Sequence, residues 1–102
     1  MRTGKEAEHV RKRDNKAIQA ARKPFCERCG RAAGIEPHHI FTRGAGGKEN
    51  KENLIQLCPA CHIGAHDGHI QREELLGIVA QREGMSYDDV YAADRRAMGW
   101  PV

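Results

Sequence analysis

The sequence has no hydrophobic run approaching the roughly 18 residues that a membrane span requires, and no positive, apolar, small-residue signal pattern at its amino end. The absence of both gives the expectation of a cytoplasmic chain with no membrane partner. Apolar residues are also few: 39% of 102 residues is too little for a large core, so one small domain is expected and something besides burial must hold it together. No internal repeat or low-complexity segment appears. What is present is cysteine, four residues in two C-x-x-C pairs. In a reducing compartment such thiols favour metal over disulfide.

Charge is unevenly spread. Residues 1–23 carry eight Lys or Arg against three acids, residues 24–68 carry five against five, and residues 69–102 carry four against six. The amino-terminal arm is therefore the end suited to phosphate, and the tail is not expected to be the main polyanion surface. Residues 5–23 read as a helix with a thin apolar stripe (Val10, Ala17, Ile18, Ala21) that Pro24 stops. Residues 35–41 and 53–57 read as two short strands around a glycine-rich turn at 44–50, and residues 60–65 as the start of a helix with Pro59 in its first turn. Two more helices are expected on either side of Gly84, the second capped by Ser86 with Asp89.

Cys26 and Cys29, then Cys58 and Cys61, place two thiolates on each of two tight turns, the arrangement that supplies four sulfurs to one Zn2+. The 28 residues between the pairs exceed a zinc-ribbon spacer, so the insert itself is expected to carry function. A redox pair or two disulfides is the rival reading of the cysteines. Four histidines cluster with them. His62 and His66, four apart, share one helix face. His38 and His39 fall in the first strand, where successive side chains point to opposite faces, so joint service requires an irregular strand, which Pro37 favours. Imidazoles around a divalent ion can polarise a phosphoryl oxygen, and a free imidazole can deprotonate water. His9 and His69 read as surface residues.

The stretch Pro37-His38-His39-Ile40, the loop from Arg43 to Lys51, and Glu52-Asn53-Leu54-Ile55-Gln56-Leu57-Cys58-Pro59-Ala60-Cys61-His62 with His66 resemble the small four-cysteine HNH endonucleases of bacteriophages and prokaryotes. The resemblance implies a ββα-metal fold of two antiparallel strands and a helix around a catalytic ion. It implies His39 as general base, His38 and His62 as ligands of the catalytic ion, and Asn53 as the residue that braces the loop and orients the base. Cys26, Cys29, Cys58 and Cys61 match the family's zinc knuckles. The intervals from Asn53 to His62 and on to His66 are similar to those of colicin-type nuclease domains, and that resemblance implies His66 as a further ligand. The catalytic ion stays open among Mn2+, Mg2+, Ni2+, Co2+ and Zn2+.

The expected protein is thus α+β: a ββα-metal core at residues 25–68 with a structural zinc held by the four cysteines, flanked by a basic helical arm (1–24) and a C-terminal helical extension (69–102). Its expected activity is hydrolysis of DNA phosphodiesters, by nicking or double-strand cleavage. Arg11, Lys12, Arg13 and Lys16 on the arm, and Arg43, Lys48 and Lys51 by the loop, are the candidate DNA contacts. A homodimer or a phage packaging or recombination partner fits the same resemblance. The rival is a zinc-knuckle adaptor that binds DNA or protein without catalysis.

Overall fold

The computed structural model describes residues 15–100. Helix α1 (Asn15–Ala20) leads into the first cysteine turn, and strand β1 (Glu36–His39) follows. A loop with 3-10 turns at Arg43–Ala45 and Lys51–Asn53 returns the chain as strand β2 (Leu54–Leu57). Helices α2 (Pro59–His66), α3 (Arg72–Glu83) and α4 (Tyr87–Ala97) complete the α+β fold. Among the described residues, no helix is long and apolar enough to cross a membrane.

The strands pair antiparallel, with His38 opposite Ile55 and His39 opposite Leu54. All four residues of β2 are buried, as expected of a strand covered on both faces. Its Gln56 also exchanges backbone contacts with the first cysteine turn: Glu27 N–H donates to the Gln56 carbonyl at 2.8 Å, and the Gln56 N–H donates to the Glu27 carboxylate at 2.8 Å. Arg82 of α3 fastens this edge, donating to Glu27 at 3.0 Å, to the Leu54 carbonyl at 3.0 Å and to the Lys51 carbonyl at 2.6 Å.

Helix α3 carries Glu73 and Glu74 in its first turn and Arg82 in its last, charges that complement the helix dipole. It buries Leu75, Leu76 and Val79 against Ile55 and Leu57, and Val90 of α4 joins that core. Gly84, in the left-handed conformation at φ 68°, ends α3, and the Ser86 hydroxyl accepts from the Asp89 N–H at 3.0 Å to start α4. Both features match the sequence expectation for the tail. The glycine-rich turn is closely packed. A Cβ at Gly47 would overlap the Phe41 carbonyl and crowd the Asn53 side chain, so glycine there permits close approach within a folded loop.

Candidate metal centres and active site

The two cysteine turns meet. The sulfurs of Cys26, Cys29, Cys58 and Cys61 all lie within 4.8 Å of one another, with Cys29 and Cys58 at 3.6 Å. A tetrahedral zinc with bonds of about 2.3 Å separates its sulfurs by about 3.8 Å, so the set fits such an ion. The Cys29 N–H donates to the Cys26 sulfur at 3.4 Å. Burial opposes ionisation of Cys26, but backbone donors from Cys58, Cys29 and Arg28 outweigh it and bring the thiol to about 6. Burial, with the neighbouring sulfurs, pushes Cys61 up to about 12 even though Arg28 reaches it at 3.6 Å. Four thiolates in this space require a cation to offset their repulsion.

The second cluster lies where β1 meets α2. His38, buried, faces His62 and His66, with ring centroids 5.1 and 5.5 Å away, and the pair on α2 stand 4.8 Å apart. One nitrogen from each ring falls within a 4.8 Å span, a set that could hold a metal ion. Burial, then the charges of His62, His66 and His39, bring His38 down to about 4; burial and His66 lower His62. At neutral pH these two rings keep the lone pairs that ligation needs. Exposure rises from His38 through His62 to His66, leaving one side of the cluster open.

His39 points away from that trio yet borders the same cleft of about 180 Å3, together with His38, Thr42, Arg43, His62 and His66. Strand pairing is continuous through both histidines, so the expected irregularity is absent. His39 reaches the cleft from the last position of β1, where the chain turns into the loop. Its Nε2 lies 3.1 Å from Glu49 Oε2. A carboxylate only accepts, so Nε2 is the donor in this contact, which in a neutral ring leaves the lone pair on Nδ1. Asn53 is buried and clamps the loop: its Oδ1 accepts from the Phe41 N–H at 2.7 Å, and its Nδ2 donates to the Phe41 carbonyl at 3.0 Å and the Lys48 carbonyl at 2.9 Å. The side chain that orients the His39 ring is therefore Glu49, with Asn53 acting on the loop that carries it.

Arg43 lines the histidine cleft and stands 3.7 Å from Glu49. Lys48 and Lys51 line a different groove of about 580 Å3, with Lys23 and α1, and Lys51 stands 3.6 Å from Glu83. Lys16 is exposed on α1; Arg11, Lys12, Arg13 and His9 lie outside the described residues. His69 is at the surface and pairs with Asp67 at 2.8 Å. Two site residues escaped the sequence reading. Glu49, ten positions after His39, comes back only because the loop folds on itself, and Arg72 lines a cleft of about 380 Å3 with His38, Thr42 and His66. A carboxylate at the far end of the glycine loop was the available signal for the first; none pointed to the second.

The family model described as HNH endonuclease matches residues 26–68, the segment that holds both clusters. The chain is 34% identical over 53 residues, 43% of its own length and 19% of the relative's, to the type IV methyl-directed restriction enzyme EcoKMcrA of Escherichia coli (strain K12). It is 35% identical over 34 residues, 33% of its length and 45% of the relative's, to anaredoxin of Nostoc sp.. The chain thus spans less than half the length of these curated relatives. No solved structure matches it. The two cysteine turns, the paired β-hairpin and the histidine helix all lie inside residues 26–68, the stretch that the HNH endonuclease family model matches.

Proposed function

We propose that this chain is a metal-dependent endonuclease that hydrolyses DNA phosphodiester bonds. The observation that carries the reading is the pairing of two different imidazole environments on one cleft: three rings gathered as a ligand set, and one ring, His39, held apart by a carboxylate. An adaptor needs the cysteines but has no use for the second arrangement. Cys26, Cys29, Cys58 and Cys61 would hold a structural Zn2+, and because the core is small that ion is a folding requirement. His38, His62 and His66 would hold the catalytic divalent ion, Mn2+, Ni2+, Co2+, Zn2+ or Mg2+. When bound, that ion supplies positive charge to a phosphoryl oxygen and to the departing 3′ oxygen.

His39 takes a proton from water through Nδ1, while Glu49 holds the ring in that tautomer and stabilises the imidazolium that results. Hydroxide attacks phosphorus in line with the departing oxygen, and the P–O3′ bond breaks with its electron pair leaving on the 3′ oxygen, which takes a proton from solvent to become a hydroxyl while the phosphate stays on the 5′ end. Asn53 keeps the Phe41 and Lys48 ends of the loop together, so that Glu49 and His39 stay in register. Arg43 on the cleft, Lys48 and Lys51 on the adjoining groove, and Arg11, Lys12, Arg13 and Lys16 on the arm contact DNA phosphates without reading sequence. One cleft per chain makes nicking the natural activity, and double-strand cleavage requires two copies or two encounters.

The test is incubation of supercoiled plasmid with zinc-loaded protein and each of the five ions, beside His39→Ala prepared identically. Nicked or linear product that is lost in the variant, with zinc content and fold retained, supports the reading. No cleavage with any ion, by a folded protein that still binds DNA, supports the adaptor instead.

A further inference from the structure

Four arginines of the fold are committed to partners. Arg28 pairs with Glu74 at 2.8 Å, Arg82 with Glu27 and Glu83 at 3.0 and 2.7 Å, Arg43 stands 3.7 Å from Glu49, and Arg95 donates to the Tyr91 hydroxyl at 2.6 Å. Arg72 differs. It is exposed at the first position of α3, and its guanidinium lies over the Phe41 ring, 4.6 Å from the centroid. Among the described residues that guanidinium has no ion pair and no hydrogen bond. A ring face fixes the plane of the cation without occupying its N–H donors, so the fork is oriented and its hydrogen-bonding capacity unspent.

The position of this group gives it a use. Arg72 lines the cleft of about 380 Å3 that His38, Thr42 and His66 also line, so two members of the histidine cluster border it. Phe41, beneath the guanidinium, is itself buried and is gripped through both its N–H and its carbonyl by Asn53. The same asparagine that braces the loop therefore fixes the platform under Arg72. Glu73 lines the cleft as well, and its negative charge opposes a phosphate there, so the contact depends on the guanidinium placed over Phe41. On the nuclease reading, from which this inference follows, we infer that Arg72 is a substrate-binding residue that grips one DNA phosphate neighbouring the scissile one, through the bidentate N–H fork, and so sets the strand in the histidine cleft. This assigns the carboxyl-terminal extension a direct contact with substrate, although its overall charge is acidic.

The experiment reads binding and cleavage separately. Binding of a fluorescein-labelled DNA duplex is measured between 50 and 200 mM salt, roughly the range in which phosphate contacts weaken steeply, using the His39→Ala protein with and without Arg72→Ala. Plasmid cleavage is measured for the otherwise unaltered chain carrying Arg72→Ala, Arg72→Lys or Arg96→Ala; Arg96 is exposed and does not line this cleft. The expected result for Arg72→Ala is a salt slope smaller by about 1 and a cleavage efficiency roughly ten- to a hundredfold lower, with zinc content and melting temperature unchanged. Arg72→Lys should keep the slope and recover only part of the cleavage, because the charge remains and the fork does not. Arg96→Ala should match the parent in cleavage. A slope and a cleavage rate unchanged in Arg72→Ala overturn the inference. If the unaltered chain cuts no plasmid while the slope still falls, the phosphate contact stands and the nuclease reading is what fails.

Discussion

The cysteine cluster and the histidine cluster are built from the same stretch of chain and are opposites in design. Three of the four cysteines are buried, the set has the four ligands that close a tetrahedral site, and both turns are knitted into the backbone of β2. The histidines of the cluster number three, grade from buried to exposed, and border two clefts, one shared with His39 and Arg43 and the other with Arg72. A closed four-ligand set suits an ion that holds a fold, and an open three-ligand set suits one that meets a substrate. Ligand count and exposure together thus distinguish two roles that residue type alone does not.

The largest expected effect would break the first half of that comparison. Cys58→Ser, or removal of zinc by a strong chelator, should abolish the folded state altogether, because Cys58 is fully buried among the core residues and structural zinc contributes on the order of 10 kcal/mol in small domains. Circular dichroism and proteolysis check this, and a chain that stays folded without metal would show that the core alone suffices. Asn53→Ala should be next in size. It removes three hydrogen bonds from a buried site and leaves the Phe41 and Lys48 backbone groups without that partner, a destabilisation of about 2–4 kcal/mol by urea titration, with cleavage lost beyond what the stability change explains.

Glu49→Gln sharpens the second half. The amide can still meet Nε2 but no longer stabilises an imidazolium, so plasmid cleavage should fall about ten- to a hundredfold while zinc content and melting temperature hold. Cleavage unchanged in this variant would remove Glu49 from the site. The remaining effect concerns neither cluster and is read in stability alone. Asp94 is buried on α4 with its Oδ1 accepting from Asn50 at 2.8 Å, and burial, opposed by that bond and reinforced by Glu52, raises its carboxyl from 3.8 to about 6. The contribution of a raised acid is fully present below pH 3.8 and is lost as pH rises through about 6. Asp94→Asn should therefore stabilise the chain by up to about 3 kcal/mol above pH 6, with the gain shrinking as the pH falls toward 4. A gain independent of pH would assign the effect to packing.

Much of this was legible in the sequence, for local reasons. The cysteine turns, the proline that opens α2, the glycine between α3 and α4 and the Ser86 cap each depend on a few adjacent residues, and each falls where the residues placed it. The spacing of His62 and His66 likewise needs only helical geometry. The fate of His38 and His39 was half legible. Strand alternation separates them, as it must, but both border one cleft because the second ends its strand, and that depends on the register with Leu54 and Ile55. Glu49 had only its place at the far end of the glycine loop as a signal and Arg72 had none, because tertiary folding brings them in, one by way of a loop held by Asn53 and the other from a helix whose net charge pointed away from nucleic acid. Gly47 reads in sequence only as part of a glycine-rich turn and proves to be a close approach of two backbone segments.

The most direct measurement is plasmid cleavage, together with metal content, by zinc-loaded protein carrying both His62→Ala and His66→Ala. If the histidine cluster is the catalytic centre and the cysteine cluster the structural one, this protein should stay folded, retain one zinc per chain and cut no DNA with any divalent ion. Undiminished cleavage by a chain that holds only the cysteine-bound zinc would contradict the account.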